Sequence, residues 1–242
     1  MSIISIHNVS KNYKTKKALE NVSFTIDEGE LFGLLGVNGA GKTTLIKILC
    51  GLTKKSGGNV IINGFNMDKD INKVKEIIDI SPQETSVANN LTVKENLEFF
   101  ANIYDSDNSA IINEIVDIFK LADVLNQKAK TLSGGYKRRL SIAIALISKP
   151  KILLLDEPTL GLDVFARREL WGIIRKIQKD VTIILTSHYL EEIENLCDRV
   201  AILSNGKLIK TGTVDEIKKL ANSDNFENAF IKLVEADNEK NN

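Results

Sequence analysis

Two short stretches of this sequence carry residues suited to phosphate chemistry. Gly36-Val37-Asn38-Gly39-Ala40-Gly41-Lys42-Thr43 fits the P-loop pattern, two glycines framing four residues and leading into Lys-Thr. Glycines let the backbone wrap closely, so that its N–H groups turn inward toward phosphate oxygens. A helix opening near Lys42 adds the positive end of its dipole. The Lys42 ammonium can reach β- and γ-phosphates, and the Thr43 hydroxyl can ligate Mg²⁺. Leu153-Leu154-Leu155-Asp156-Glu157 supplies the matching half, an apolar strand delivering two carboxylates at its C-terminal end. That is where open parallel sheets bind their ligands. Asp156 is expected to hold Mg²⁺ through its waters, and Glu157 to polarise an attacking water as general base or orienter.

The elements that must position these groups follow from periodicity. Residues 3–35 alternate apolar and polar in short runs and read as antiparallel strands, the last of them Leu31–Leu35, running into the glycine-rich loop. Thr43–Gly51 reads as a helix ended by glycine. Asn63-Gly64 and Asn205-Gly206 are each expected to close a hairpin. The middle third is expected to form a helical insert over about 90–148. There Thr92 and Glu95 have capping-box spacing, with Leu97, Phe100 and Tyr104 on one face. Ile111–Phe119 repeats the pattern, and a third helix is expected from Ser133 to Lys149, stopped by Pro150. Strands over 151–155, 181–186 and 200–203, with helices over 167–179 and 191–197 between them, imply a parallel sheet covered on both faces. The fold class expected is α/β, a P-loop core with a mostly parallel sheet, an N-terminal antiparallel subdomain and an inserted α-helical subdomain. Residues 1–222 read as one domain and 223–242 as a C-terminal extension, whose polar end over 235–242 is expected to fray.

Composition narrows the function classes. Among 242 residues, Lys+Arg and Asp+Glu both number 32, so no basic face for nucleic acid is implied. The N-terminus lacks the basic and long apolar regions of a secretory signal, and no segment nears the roughly 20 apolar residues of a bilayer span. The chain is therefore expected to be cytosolic unless tethered. Cys50 and Cys197 lack metal-ligand spacing and read as buried bystanders.

The run Leu132-Ser133-Gly134-Gly135-Tyr136-Lys137-Arg138-Arg139 resembles the signature sequence of ABC-type ATPases. Gln83, Asp156-Glu157-Pro158-Thr159, Gly161-Leu162-Asp163 and Ser187-His188 match that family's remaining motifs in order, across roughly residues 3–220. The resemblance implies an ATP-binding and ATP-hydrolysing domain. Tyr13 would stack on adenine, Gly36 through Thr43 and Thr44 would contact the nucleotide, and Gln83 would touch Mg²⁺ or the water. His188 would bond the γ-phosphate, while Ser133, Gly134, Gly135 and Asp163 would serve ATP held by a paired subunit. A serine opening a helix suits that role physically, because the first-turn N–H groups and the dipole favour an anion, although Ser133 can also be a plain N-cap. Tyr136 stands where the signature most often has Gln. With Leu91–Leu97 and Asn225–Phe230, the Tyr136–Arg139 run is similar to a subgroup serving exporters of drugs, antibiotics or polysaccharides.

By the same resemblance, two copies or paired ABC ATPases close around ATP and Mg²⁺ and drive a separate integral membrane permease. That would hold the protein at the inner face of the cell membrane. Rival readings keep the ATPase but place it in translation, DNA repair or soluble assembly. Translation and repair relatives usually join two such domains or insert long coiled coils, and this chain does neither.

Overall fold

The computed structural model describes residues 1–14, 16–104 and 108–240, which fall into two compact units, Met1–Glu76 with Thr182–Asn242, and Ile77–Val181. The first unit opens with β1 (Ser2–Tyr13), β2 (Lys16–Asp27), β3 (Leu31–Leu35), α1 (Lys42–Leu49), β4 (Gly57–Ile62), β5 (Phe65–Asn66) and α2 (Ile71–Lys75). The second holds β6 (Ile78–Ser81), α3 (Val93–Ile103), α4 (Asn108–Phe119), α5 (Gly134–Leu146), β7 (Ile152–Asp156) and α6 (Val164–Ile177). The chain then returns to the first unit with β8 (Thr182–Ser187), α7 (Leu190–Leu196), β9 (Arg199–Ser204), β10 (Lys207–Gly212), α8 (Val214–Leu220) and α9 (Phe226–Lys240).

In the first unit, alternation makes β1 and β2 one-sided strands, and they join β4 and β5 in an antiparallel sheet of order β2-β1-β4-β5. Strand β3 departs from the antiparallel expectation. Every residue of Leu31–Leu35 is buried, and the strand lies parallel to both β8 and β9, with β10 antiparallel on β9. Continuous rather than alternating hydrophobicity is what a doubly covered parallel strand requires. Both expected hairpins form. Asn63 and Gly64 have φ 47 and 79, Asn205 and Gly206 φ 48 and 78, the mirror-image turns that match strand twist.

In the second unit, β6 pairs parallel with the fully buried β7, and helix α5 packs on both strands. The Thr92–Glu95 capping box is present, each side chain bonding the other's backbone N–H, and donation from the Thr92 N–H and hydroxyl holds the Glu95 carboxyl below the usual carboxylate range. Helix α3 buries Val93, Asn96, Leu97 and Ala101, while Phe99, Ile103 and Tyr104 are exposed. Tyr104, the C-cap residue of α3, donates its hydroxyl to Asp79 at 3.3 Å.

Two helix boundaries differ from expectation for identifiable reasons. Helix α5 stops at Leu146, and Lys149 turns left-handed at φ 50 ahead of Pro150. The proline ring disfavours the α conformation for the residue before it, so the turn must come early. At the other end of the chain, residues 226–240 are helical rather than frayed, anchored by buried Phe226 and Ala229 against α7, α8 and β10. Residues 241 and 242 of the expected frayed end lie outside the described residues. Cys50 and Cys197 are both buried, as expected. Among the described residues no helix is long and apolar enough to cross a membrane.

Candidate functional site

In the first unit the P-loop spans the gap between β3 and α1, the strand–loop–helix context that gives the pattern meaning. Its closure is tight. A Cβ on Gly36 would lie 2.4 Å from the Leu203 carbonyl oxygen of β9, so only glycine fits. Gly41 caps α1 at φ 107, a left-handed conformation that side chains resist. The Ala40 N–H donates to the Val37 carbonyl at 3.1 Å, and the Gly206 N–H to the Ala40 carbonyl at 3.1 Å, which ties the loop to the β9–β10 turn. Lys42 is buried, and its ammonium donates to the Gly36 carbonyl at 2.6 Å. Val37, Asn38 and Gly39 are exposed, Thr43 and Thr44 half-buried.

This cradle fits a nucleotide triphosphate. The first turn of α1 contains no acidic residue and its cap has no side chain, so its positive end is left for an anion. The Lys42 cation is held inside the curve of the loop by the loop's own carbonyl. In the sheet, Leu35 lies opposite Ser187, so Gly36 and His188 leave adjacent parallel strands side by side. The His188 ring is half-buried and tilts against Tyr189, their centroids 4.1 Å apart. Tyr13 ends β1 exposed, at 43% for the residue, with the Lys11 ammonium 4.7 Å from its ring centroid.

In the second unit, parallel pairing does the same for the carboxylates. Ser81 lies opposite Leu155, so the chain leaving β6 toward Gln83 emerges beside Asp156 and Glu157 at the end of β7. Both carboxylates are buried, at 4% and 6% exposure. Glu157 sits at φ 50, left-handed and costly for a residue with a side chain, and such conformations cluster where geometry serves chemistry. The Gln83 side chain is exposed. Among the described residues no cluster of His, Cys, Asp and Glu is built to hold a metal ion alone. Within this unit Asp156 and Gln83 carry oxygen donors of the hard type that Mg²⁺ takes alongside phosphate and water.

A second grouping in this unit joins the signature to Asp163. Ser133 is the N-cap of α5, accepting from the Tyr136 N–H at 3.4 Å, and it is exposed with Gly134. Asp163 caps α6, accepting from the Phe165 and Ala166 N–H groups at 2.9 Å each. Sequence reasoning assigned Asp163 to the nucleotide and overlooked this cap, although an Asp before a helical run is its ordinary signal. Cβ atoms on Gly134 and Gly135 would lie 3.9 Å from Leu162 and 3.3 Å from Ala166, so the two helix starts adjoin. Tyr136, the departure from the usual signature, places its ring 4.9 Å from the Arg139 guanidinium. Arg139 in turn bonds Glu169 of α6. Two buried polar side chains, Arg138 and Asn96, make backbone contacts that their sequence runs do not announce. Arg138 of α5 donates to the carbonyls of Pro82 and Gln83, and Asn96 of α3 bonds the backbone of Ala88 and Thr92.

A family model described as "ABC transporter" matches residues 19–160. The Linearmycin resistance ATP-binding protein LnrL of Bacillus subtilis (strain 168) is 37% identical over 219 residues, 89% of this chain and 70% of that protein. The "Probable multidrug ABC transporter ATP-binding protein YbhF" of Escherichia coli (strain K12) is 36% identical over 242 residues, covering 96% of this chain, which spans 42% of that longer protein. Among solved structures, the ATP-binding cassette MJ0796, a dimer in a post-hydrolysis state bound to ADP and Pi, aligns with TM-score 0.77 and 26% identity. That alignment covers 87% of this chain and 98% of the other.

Proposed function

Because this chain belongs to the ABC transporter family of ATP-binding proteins, we propose that it binds and hydrolyses ATP to power a separate membrane permease, in the direction of export. The observation that carries the reading is the P-loop, where a side chain on Gly36 or Gly41 would strike neighbouring atoms and where the lysine is buried facing the loop. The names of the relatives that tie this kind of subunit to linearmycin resistance and to multidrug transport support export. The motif set Tyr136–Arg139, Leu91–Leu97 and Asn225–Phe230 points the same way.

In this reading the backbone of residues 36–43 with Thr44 grips the phosphates, Lys42 neutralises the β- and γ-oxygens, and Tyr13 stacks on the base. Thr43, Asp156 and Gln83 hold Mg²⁺, which would offset charge on the transferred phosphoryl group. Glu157 takes the proton of, or orients, the attacking water, and His188 bonds the γ-phosphate. Ser133, Gly134, Gly135 and Asp163 act on the nucleotide of a second copy or a related subunit. The dimeric state of the MJ0796 cassette supports that pairing. Residues 1–222 form the nucleotide-binding domain with a helical insert over about 90–148, and 223–242 a C-terminal extension. The protein works in the cytoplasm, at the inner face of the membrane through its permease.

The test is a membrane pull-down of tagged Glu157→Gln protein with ATP. Co-purification of a polytopic permease is the expected result. Recovery of ribosomes, DNA or a soluble complex would preserve the ATPase and overturn its purpose.

A further inference from the structure

The segment from Pro82 to Leu91 is suspended between two buried side chains of the second unit, one at each end. At its far end the Asn96 amide, fully buried on α3, accepts from the Ala88 N–H at 2.8 Å and donates to the Ala88 and Thr92 carbonyls at 3.1 and 2.8 Å. At its near end Arg138, 4% exposed on α5, donates Nη1 to the Pro82 carbonyl at 2.7 Å and Nη2 to the Gln83 carbonyl at 2.5 Å. Three residues further along the same helix face, the hydroxyls of Ser141 and Ser81 bond at 3.0 Å. Residues 81, 82 and 83 are thus registered one after another against a single helix face. That helix begins at Gly134, about one turn before Arg138, with Ser133 as its cap.

The chemistry of the clamp matters. A guanidinium is a rigid planar fork, so two successive carbonyls bonded to its two terminal nitrogens follow its position and its orientation together. A lysine offers a point charge that follows neither orientation nor both oxygens. Burial removes competing water and strengthens both bonds. Nothing in the nucleotide reading requires an arginine at this place, because Arg138 touches backbone and its target, Gln83, presents an exposed side chain.

We propose that Arg138 is a positioning residue that transmits the placement of the signature helix to the Gln83 segment, so that phosphate contact at Ser133–Gly135 resets Gln83. The inference rests on the ATPase reading above and adds to it the part that couples two of its sites within one unit. Movement of α5 by ligand at its start carries the Arg138 fork, and the fork carries Pro82 and Gln83. The Asn96 bonds hold the far end, so the change is absorbed in residues 84–87.

The test combines steady-state ATP turnover with hydrogen–deuterium exchange, with and without ATP, in the full chain carrying Arg138→Met or Arg138→Lys. Losing two charge-assisted bonds is expected to lower kcat about tenfold in Arg138→Met with KM for ATP within about twofold. ATP is expected to slow exchange in residues 82–91 of the parent protein, and this response is lost in Arg138→Met while that of residues 133–146 persists. Arg138→Lys, which keeps one bond, should show a kcat loss of about threefold and a partial response. A merely structural arginine would raise exchange with and without ATP alike and leave the response intact, which would overturn the proposal. If Arg138→Met does not fold, Arg138→Lys decides: parental kcat and a full response in 82–91 would equally overturn it. Glu157→Gln measured alongside separates the two levels. Unchanged turnover there defeats the ATPase reading, whereas its loss beside a parental Arg138→Met defeats the clamp alone.

Discussion

Helices α1 and α5 both begin at glycine-rich turns, yet their first turns are built in opposite ways. The start of α1 is closed in by its own unit. Its cap is Gly41 at φ 107, a Cβ at Gly36 would strike the Leu203 carbonyl, and buried Lys42 bonds back into the loop. The start of α5 is open. Its cap is a serine in extended backbone whose bond to the Tyr136 N–H is long at 3.4 Å, and Ser133 and Gly134 are exposed. A closed cradle with an internal cation suits a ligand gripped by its own subunit throughout the chemical step. An open, weakly capped helix start suits a ligand that arrives on another body and leaves again.

That contrast can be broken most severely at the closed end. Lys42→Ala is expected to lower ATP turnover by two to three orders of magnitude, since it removes a preorganised cation from the developing phosphate charge; coupled-assay kinetics would show it. Gly36→Ala should follow, with a loss of about 2–3 kcal/mol in stability because a backbone oxygen blocks the new methyl. Thermal denaturation without nucleotide reads this directly, and an unchanged midpoint would mean that the loop is looser than its geometry implies.

The open end predicts a split between stability and activity. Ser133→Ala should cost no more than about 1 kcal/mol as a lost N-cap. Its turnover should nonetheless fall about tenfold or more, the amount expected when a phosphate-facing donor is removed. Equal and small losses in both measurements would reduce Ser133 to a cap. The smallest effect belongs to Tyr136→Gln, which restores the commoner signature residue and gives up only the contact with Arg139. A stability change below about 1 kcal/mol, with turnover retained, is expected from denaturant titration and kinetics.

Much of this arrangement is legible in the sequence, because it rests on local rules. The P-loop, the Thr92–Glu95 box and both Asn-Gly hairpins are spelled by residue types at fixed offsets. The apolar run 153–155 and the carboxylates after it likewise announce a buried parallel strand. What stayed hidden depends on chain partners distant in sequence. The parallel pairing of β3 with β8 and β9 arises across about 150–170 residues, and short runs from 3 to 35 read equally well as antiparallel. Arg138 resembles any cation in Lys137-Arg138-Arg139 until the fold sets it against Pro82 and Gln83. The left-handed Glu157 has no compositional mark, since only glycine and asparagine advertise that conformation. The C-terminal helix was masked by its polar end, because the two anchors, Phe226 and Ala229, lie at its start.

The central claim, that Glu157 drives hydrolysis of ATP held by the P-loop, is tested most directly by comparing Glu157→Gln with the parent protein for ATP binding and ATP turnover. The account predicts binding within about twofold and turnover lower by about a hundredfold or more, with ATP-bound dimers accumulating. Turnover equal to that of the parent would contradict it.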